Sequence, residues 1–372
     1  MNSGIYIHIP FCAQKCPYCD FYSVRYQKTL AKRYVDAVIM AIESYCGKKI
    51  CADTIYFGGG TPNLLGADLI AEIISKLYDC FKISNDVEIT LEANPESFRG
   101  QSAFNFKAAG INRISMGLQS ANGCELERLS RLHSAEDVVL SVKAAREGGI
   151  DNISLDLMLG LENQTTKEIK NSIDFCSHLD VEHISAYMLK IEKNTPFYTQ
   201  NLNLPTDDDA AELYLFAAEY LEEKGYKQYE ISNFAKSSKC SKHNLKYWRG
   251  EEYIGIGASA HGFENGKRYH YKRDIESFIK NPTERVFDSV GGGIEETFML
   301  KMRLCEGINL NDFQMQFGIS LSQGFFKKLE LFKNAGLVSK NDSQIHLTKK
   351  GFLVSNSVIS GLLVEFDLKE NV

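Results

Sequence analysis

Six strand-like segments, separated by helical patterns, fill the first half of the chain. "GIYIHI" precedes a helical stretch over 30–45, "DTIYFGGG" one over 67–78, and "DVEITLEANP" one over 101–109. "INRISMGLQS" precedes a helix over 135–147, "IDNISLDLMLG" one over 167–178, and "VEHISAYMLKIE" ends the series near Glu192. Strands that alternate with helices pair in parallel through crossover connections. The predicted fold is therefore α/β, an incomplete, open (β/α)6 TIM-like barrel. Strand parity adds a second constraint. Val87, Ile89 and Leu91 share one face, and Glu88, Thr90 and Glu92 the other; Ile153, Leu155 and Leu157 likewise oppose Ser154 and Asp156. Strands buried on both sides read apolar throughout, so one polar face in strand after strand predicts a wet or ligand-filled lumen. Polar residues also gather at strand ends, in Gly58–Thr61 and at Glu92, Gln119 and Asp156. Barrels of this kind build their sites on that rim.

The loop after the first strand, "CAQKCPYC", holds Cys12, Cys16 and Cys19 in C-x3-C-x2-C spacing. The other seven cysteines are Cys46, Cys51, Cys80, Cys124, Cys176, Cys240 and Cys305, scattered without a framework. The opening "MNSGIYIHIP" has neither a charged n-region nor a long apolar core, so it does not read as a secretion signal. A cytoplasmic, reducing location is expected, with the scattered cysteines as free thiols. A structural zinc ion takes four protein ligands. An iron–sulfur cube has four corners, and three thiolates leave one iron open. The spacing favours the cluster, with zinc or no metal as the alternatives. A balance of 42 basic against 48 acidic residues, net −6, argues against a general nucleic-acid binder.

The cysteine loop resembles the signature of radical S-adenosylmethionine (radical SAM) enzymes. "IYIHIPFC", "KCPYCDF", "YFGGGTP", "TLEANPE", "RISMGLQS", "LSRLHS" and "SLDLMLGL" follow in order. As a set they resemble the oxygen-independent coproporphyrinogen III oxidases and their relatives, the HemW-type haem chaperones, from about Tyr6 to the C-terminus. The resemblance implies a [4Fe–4S] cluster on Cys12, Cys16 and Cys19, with SAM chelating the open iron. It implies that Gly59, Gly60 and Thr61 meet the SAM amine through closely approaching backbone, which glycine permits; a tight strand-to-helix turn is the alternative. Glu92, Gln119, Arg131 and Asp156 match positions that bind SAM's polar groups. Tyr6 and Tyr18 would flank the cluster and adenine, or simply pack in the core.

The second half carries a helix from about Pro205, with Asp207–Asp209 suited to its N-terminus. "YKQYEISNFAK" reads as a strand extending the sheet. "HNLKYW", His243 to Trp248, resembles the H-N-x-x-Y-W signature of the HemW branch. His243 and Tyr247 share a helical face. Histidine is a common haem ligand, which makes His243 the candidate haem ligand and Cys240 a weaker one. The alternative is that His243 and Asn244 orient a loop under the barrel mouth. From Ile294 a helical, winged-helix-like C-terminal domain is expected, read as a solvated lid because its lysines are spread and offset by acids. The expected division is 1–235 for the barrel, 236–293 for the H-N-x-x-Y-W segment and connecting region, and 294–372 for the C-terminal domain.

Two functions compete. One is a haem chaperone that keeps cluster and SAM and delivers haem to recipient haemoproteins, membrane-associated ones among them. The other is an oxygen-independent coproporphyrinogen III oxidase, decarboxylating propionates through reductive cleavage of SAM. A zinc-stabilised binding module is a third reading that the ordered SAM motifs disfavour. The oxidases carry a longer leading segment, whereas five residues precede Tyr6 here, and they carry a further cysteine two positions after the third ligand, where this chain has Phe21. Those departures and the H-N-x-x-Y-W motif favour the chaperone.

Overall fold

A computed structural model describes residues 2–99 and 101–366. Its centre is a row of six parallel strands in chain order: β1 (Ser3–Ile9), β2 (Cys51–Gly59), β3 (Lys82–Ala93), β4 (Arg113–Gln119), β5 (Asn152–Leu159) and β6 (His183–Met188). Helices α1 (Lys28–Glu43), α2 (Gly66–Cys80), α3 (Ala103–Ala108), α4 (Ala135–Glu147) and α5 (Thr166–His178) make the crossovers. The expected open barrel is thus the observed one. Local chemistry explains the sharp helix starts. Ser134 and Asp137 form a capping box at α4, and Thr165 and Glu168 form one at α5. Thr206 caps α6 (Asp207–Glu223), whose first turn holds Asp207, Asp208 and Asp209.

Side chains follow the expected parity. Ile5, Ile7 and Ile9 of β1 are wholly buried against the helix layer, each contributing roughly 2 kcal/mol of apolar burial. Tyr6 and His8 point the other way, towards the lumen.

The sheet extends beyond the six units on both sides, to twelve strands among the described residues. Next to β6 lies the antiparallel strand β8 (Asn233–Ala235), paired with the short β7 (Lys227–Gln228). These come from the "YKQYEISNFAK" stretch that was expected to extend the sheet. On the other edge, β9 (Tyr253–Ile256) pairs in parallel with β1, and β10 (His261–Glu264), β11 (Lys267–His270) and β12 (Val286–Val290) follow antiparallel. The stretch expected to be a connecting region therefore contributes four strands to the sheet. Between the two additions, α7 (Lys242–Arg249) runs from a Ser241 cap to Gly250, whose left-handed φ of 69° ends the helix.

The C-terminal part has the expected winged shape. Helices α8 (Ile294–Lys301), α9 (Leu310–Phe317) and α10 (Gln323–Asn334) pack with a three-stranded sheet of β13 (Ile308–Asn309), β14 (Val338–Asn341) and β15 (Gln344–Leu347). Phe298 at its centre is fully buried and meets Phe313 and Phe325 edge-on. One expectation fails. Cys46 and Cys80 form a disulfide. The ends of α1 and α2 lie side by side and bring their Cα atoms to 4.1 Å, a proximity invisible in a separation of 34 residues. Among the described residues no helix is long and apolar enough to cross a membrane.

Candidate cluster and cofactor site

The cysteine loop leaves β1 at Pro10 and is pinned at both ends. Phe11–Cys12 pairs with Val24–Arg25, and Tyr26 donates its N–H to the Cys12 carbonyl at 2.9 Å. Within the loop, the Cys19 N–H donates to the Cys16 carbonyl at 3.1 Å, making a turn. Cys12, Cys16 and Cys19 are free thiols of intermediate exposure. Two of them already have polar neighbours. Thr61 donates its hydroxyl to Cys12 Sγ at 3.6 Å, and Arg131 its Nη1 to Cys16 Sγ at 3.7 Å.

The residues fit a polynuclear centre better than a single ion. A structural zinc ion takes four protein ligands, and three cysteines leave it one short. Three soft thiolates suit a [4Fe–4S] cube with one corner left for another ligand.

The glycine run sits against this loop. Gly60 donates its N–H to the Ile9 carbonyl at 2.9 Å and Thr61 to the Phe11 carbonyl at 2.6 Å. A Cβ on Gly60 would lie 2.5 Å from the Phe11 carbonyl oxygen. Gly59 has φ of 115°, and a Cβ there would strike the His8 ring. Gly60 is thus required by the contact with the start of the cysteine loop, and Gly59 by the contact with His8 on β1.

A cavity of about 860 Å³ opens at the C-terminal ends of the barrel strands. Tyr6, Tyr18, Cys19, Glu92 and Asp156 line it together. Gly59, Gly60, Thr61, Gln119 and Arg131 are not among its lining residues, although Gly59 and Gln119 bond to Glu92 and Tyr187, which are. Glu92 accepts from the Tyr56 hydroxyl at 2.8 Å and the Gly59 N–H at 3.0 Å; burial raises its pKa above the usual carboxylate value. Gln119, at φ of 67°, accepts from the Tyr187 hydroxyl at 2.8 Å. Arg131 donates to the Asn94 side-chain oxygen and the Gly117 carbonyl, both at 2.9 Å. Asp156 is pushed up to about 7 by burial, with the Glu92 charge adding to the shift.

The lumen also holds a residue the sequence reading passed over. Arg113 is 1 % exposed and lines the cavity with Ser115. Its charge acts on both Glu92 and Asp156, opposing the effect of burial. The signal was present: Arg113, Ser115, Gly117 and Gln119 alternate with apolar residues along β4. His8 was missed too. Its Nε2 donates to the Tyr22 carbonyl at 3.1 Å, which leaves Nδ1 to accept from Tyr6 at 3.0 Å.

His243 lies elsewhere than a haem ligand should. It is fully buried at the far end of the lumen, where Nδ1 meets the Thr54 hydroxyl and Nε2 the Tyr247 hydroxyl, each at 2.8 Å. Its ring stacks on Tyr56 at 5.2 Å, and burial lowers its pKa to about 3. With both nitrogens bonded inside the core, it has none to offer iron. Of the same motif, Asn244 and Tyr247 reach the cavity, while Trp248 has the Arg303 guanidinium 5.9 Å from its ring centre, beside the C-terminal domain. Cys240 is half-buried, and burial raises its pKa; it lies outside the cavity lining.

The family model described as the Radical SAM superfamily matches residues 6–176, and that of the HemN C-terminal domain matches 293–354. In structure the chain is similar to a protein titled as the coproporphyrinogen III oxidase HemN from Escherichia coli, with a TM-score of 0.82 at 19% identity, covering 97% of this chain and 90% of that one. That likeness shows the fold. Fold and site together define a radical SAM protein with a HemN-type C-terminal domain. In sequence, the chain is 37% identical to a protein named heme chaperone HemW from Bacillus subtilis, over 97% of this chain and 99% of that one. It is 32% identical to the Escherichia coli protein of the same name, over 97% and 98%. The chain belongs to the HemW family.

Proposed function

We propose that this chain is a haem chaperone that carries a SAM-coordinating [4Fe–4S] cluster and passes haem to recipient haemoproteins. The observation that carries the reading is the end-to-end match with relatives named heme chaperone HemW at 32–37% identity.

Cys12, Cys16 and Cys19 would hold the cluster, and SAM at its open iron would supply a sulfonium that a reduced cluster can cleave. The chain's own residues define what surrounds it. Arg131 sets its guanidinium beside Cys16 Sγ and is held in place by Asn94 and the Gly117 carbonyl, so it would bring positive charge next to the cluster. Glu92 fixes the Gly59 backbone and Tyr56. Asp156 offers an acceptor on the cavity wall for a ribose hydroxyl. The cavity accommodates a flat aromatic ligand edged by Tyr18, Phe21 and Tyr187. Phe21, where the oxidases carry a further cysteine, is 69 % exposed and gives this mouth an apolar surface rather than another thiol.

The test has two arms. Haem-loaded protein mixed with an apo-haemoprotein should lose its Soret band as the recipient's band grows, at a rate above that of free haem release. Anaerobic incubation with coproporphyrinogen III, SAM and a reductant should yield no protoporphyrinogen. Product formation in the second arm without transfer in the first would replace the chaperone with the oxidase.

A further inference from the structure

The edge strands β10, β11 and β12 bring three metal-binding side chains together outside the cysteine loop. His261 and His270 are directly opposite each other across β10 and β11, with ring centres 5.4 Å apart. The third is Asp288 on β12. The β11–β12 pairing slips between Arg268 and Tyr269, which pair with Ser289 and Phe287 and leave Asp288 without an opposite residue. A bulge of this kind re-aims a side chain. One donor atom from each residue lies within 4.8 Å of the others.

Among the described residues, neither imidazole nor the Asp288 carboxylate makes a side-chain hydrogen bond or an ion pair. Arg268, the nearby cation, is engaged by Glu296 at 2.6 Å. Nδ1 of His270 is buried with no hydrogen-bond partner, a costly arrangement unless something outside the chain supplies one.

We propose that His261, His270 and Asp288 form a second metal site, which binds one borderline divalent ion of the Fe²⁺, Co²⁺ or Zn²⁺ type at the rim of the cavity. Two imidazoles and a carboxylate suit such ions rather than Mg²⁺ or Ca²⁺. Three ligands leave at least one position for water or another small donor. The three donors converge from one side, as a free ion accepts. A porphyrin iron has a single axial position on each face and cannot take all three. His261 also lines the large cavity, which sets the site at its edge. The ion would tie together the three strands at this edge.

The test uses cluster-loaded, haem-free protein, in which the cysteine loop is occupied. Equilibrium dialysis against Co²⁺, with cobalt measured by mass spectrometry, should give one cobalt per chain. Asp288→Asn should weaken binding by at least ~10-fold, and His270→Ala should abolish it. Iron content and far-ultraviolet circular dichroism should stay at wild-type values in both, which separates ligand loss from unfolding. Asp288 is exposed, so its variant tests the site without disturbing the core. Absence of bound cobalt in the wild type, or equal binding in wild type and both variants, would overturn the assignment.

Discussion

Replacing Gly60 by alanine asks whether the glycine run serves the fold or only a bound cofactor. The added Cβ would sit 2.5 Å from the Phe11 carbonyl oxygen and 3.0 Å from the Phe11 nitrogen and carbonyl carbon. These are backbone atoms and cannot rotate away, so strand β2 and the start of the cysteine loop must separate. Overpacking of this kind costs about 1–3 kcal/mol. The separation also strains the bonds from Gly60 to Ile9 and from Thr61 to Phe11, worth about 1 kcal/mol each. The expected destabilisation is therefore ~3 kcal/mol. Urea unfolding of the protein without cluster or SAM measures it, as a lower midpoint at unchanged slope. Gly123→Ala is the control, because a Cβ there meets nothing within 4 Å. The variant should also hold less iron after reconstitution, since Cys12 follows Phe11. A Gly60→Ala protein as stable as wild type that nevertheless failed to bind SAM would refute the packing argument.

Two further outcomes follow from buried groups. His243→Ala should leave the Soret band of the haem-loaded protein unchanged while lowering stability by about 2–4 kcal/mol, since the Thr54 and Tyr247 hydroxyls lose their partner; a changed Soret band in a folded variant would return His243 to the haem site. Asp156 holds its proton up to about pH 7 in the fold, against about 4 when unfolded. The folded state therefore binds the extra proton between those values, and stability falls as pH rises through that window, by on the order of 4 kcal/mol in all. The difference between Asp156→Asn and wild type in urea should shift in favour of the variant from pH 5 to pH 8; a difference independent of pH would show that Asp156 ionises normally.

Much of the barrel was legible because its signals are local. Capping residues such as Ser134 and Thr165 mark helix starts, and strand parity separates Val87, Ile89 and Leu91 from Glu88, Thr90 and Glu92 whatever packs around them. The rim position of Glu92 and Asp156 follows from the same parity. What the sequence hid depends on contacts between distant segments. Strands β9 and β10 fall in the stretch expected to be a connecting region; a Cβ on Gly255 would come within 1.8 Å of the His261 carbonyl, so glycine there lets the two strands approach. His243 looked like a ligand because its motif is polar and aromatic. Only the fold shows Thr54 and Tyr247 on its two nitrogens. The pairing of Cys46 with Cys80 and the convergence of His261, His270 and Asp288 are likewise products of tertiary register.

Electron paramagnetic resonance of anaerobically reconstituted, reduced protein, recorded with and without SAM, tests most directly whether three cysteines leave one iron open. The account predicts a [4Fe–4S] signal that changes on SAM addition and is lost, with the iron, in a Cys12→Ala, Cys16→Ala, Cys19→Ala variant. A signal indifferent to SAM, iron retained by the triple variant, or a four-coordinate zinc ion in the loop would contradict it.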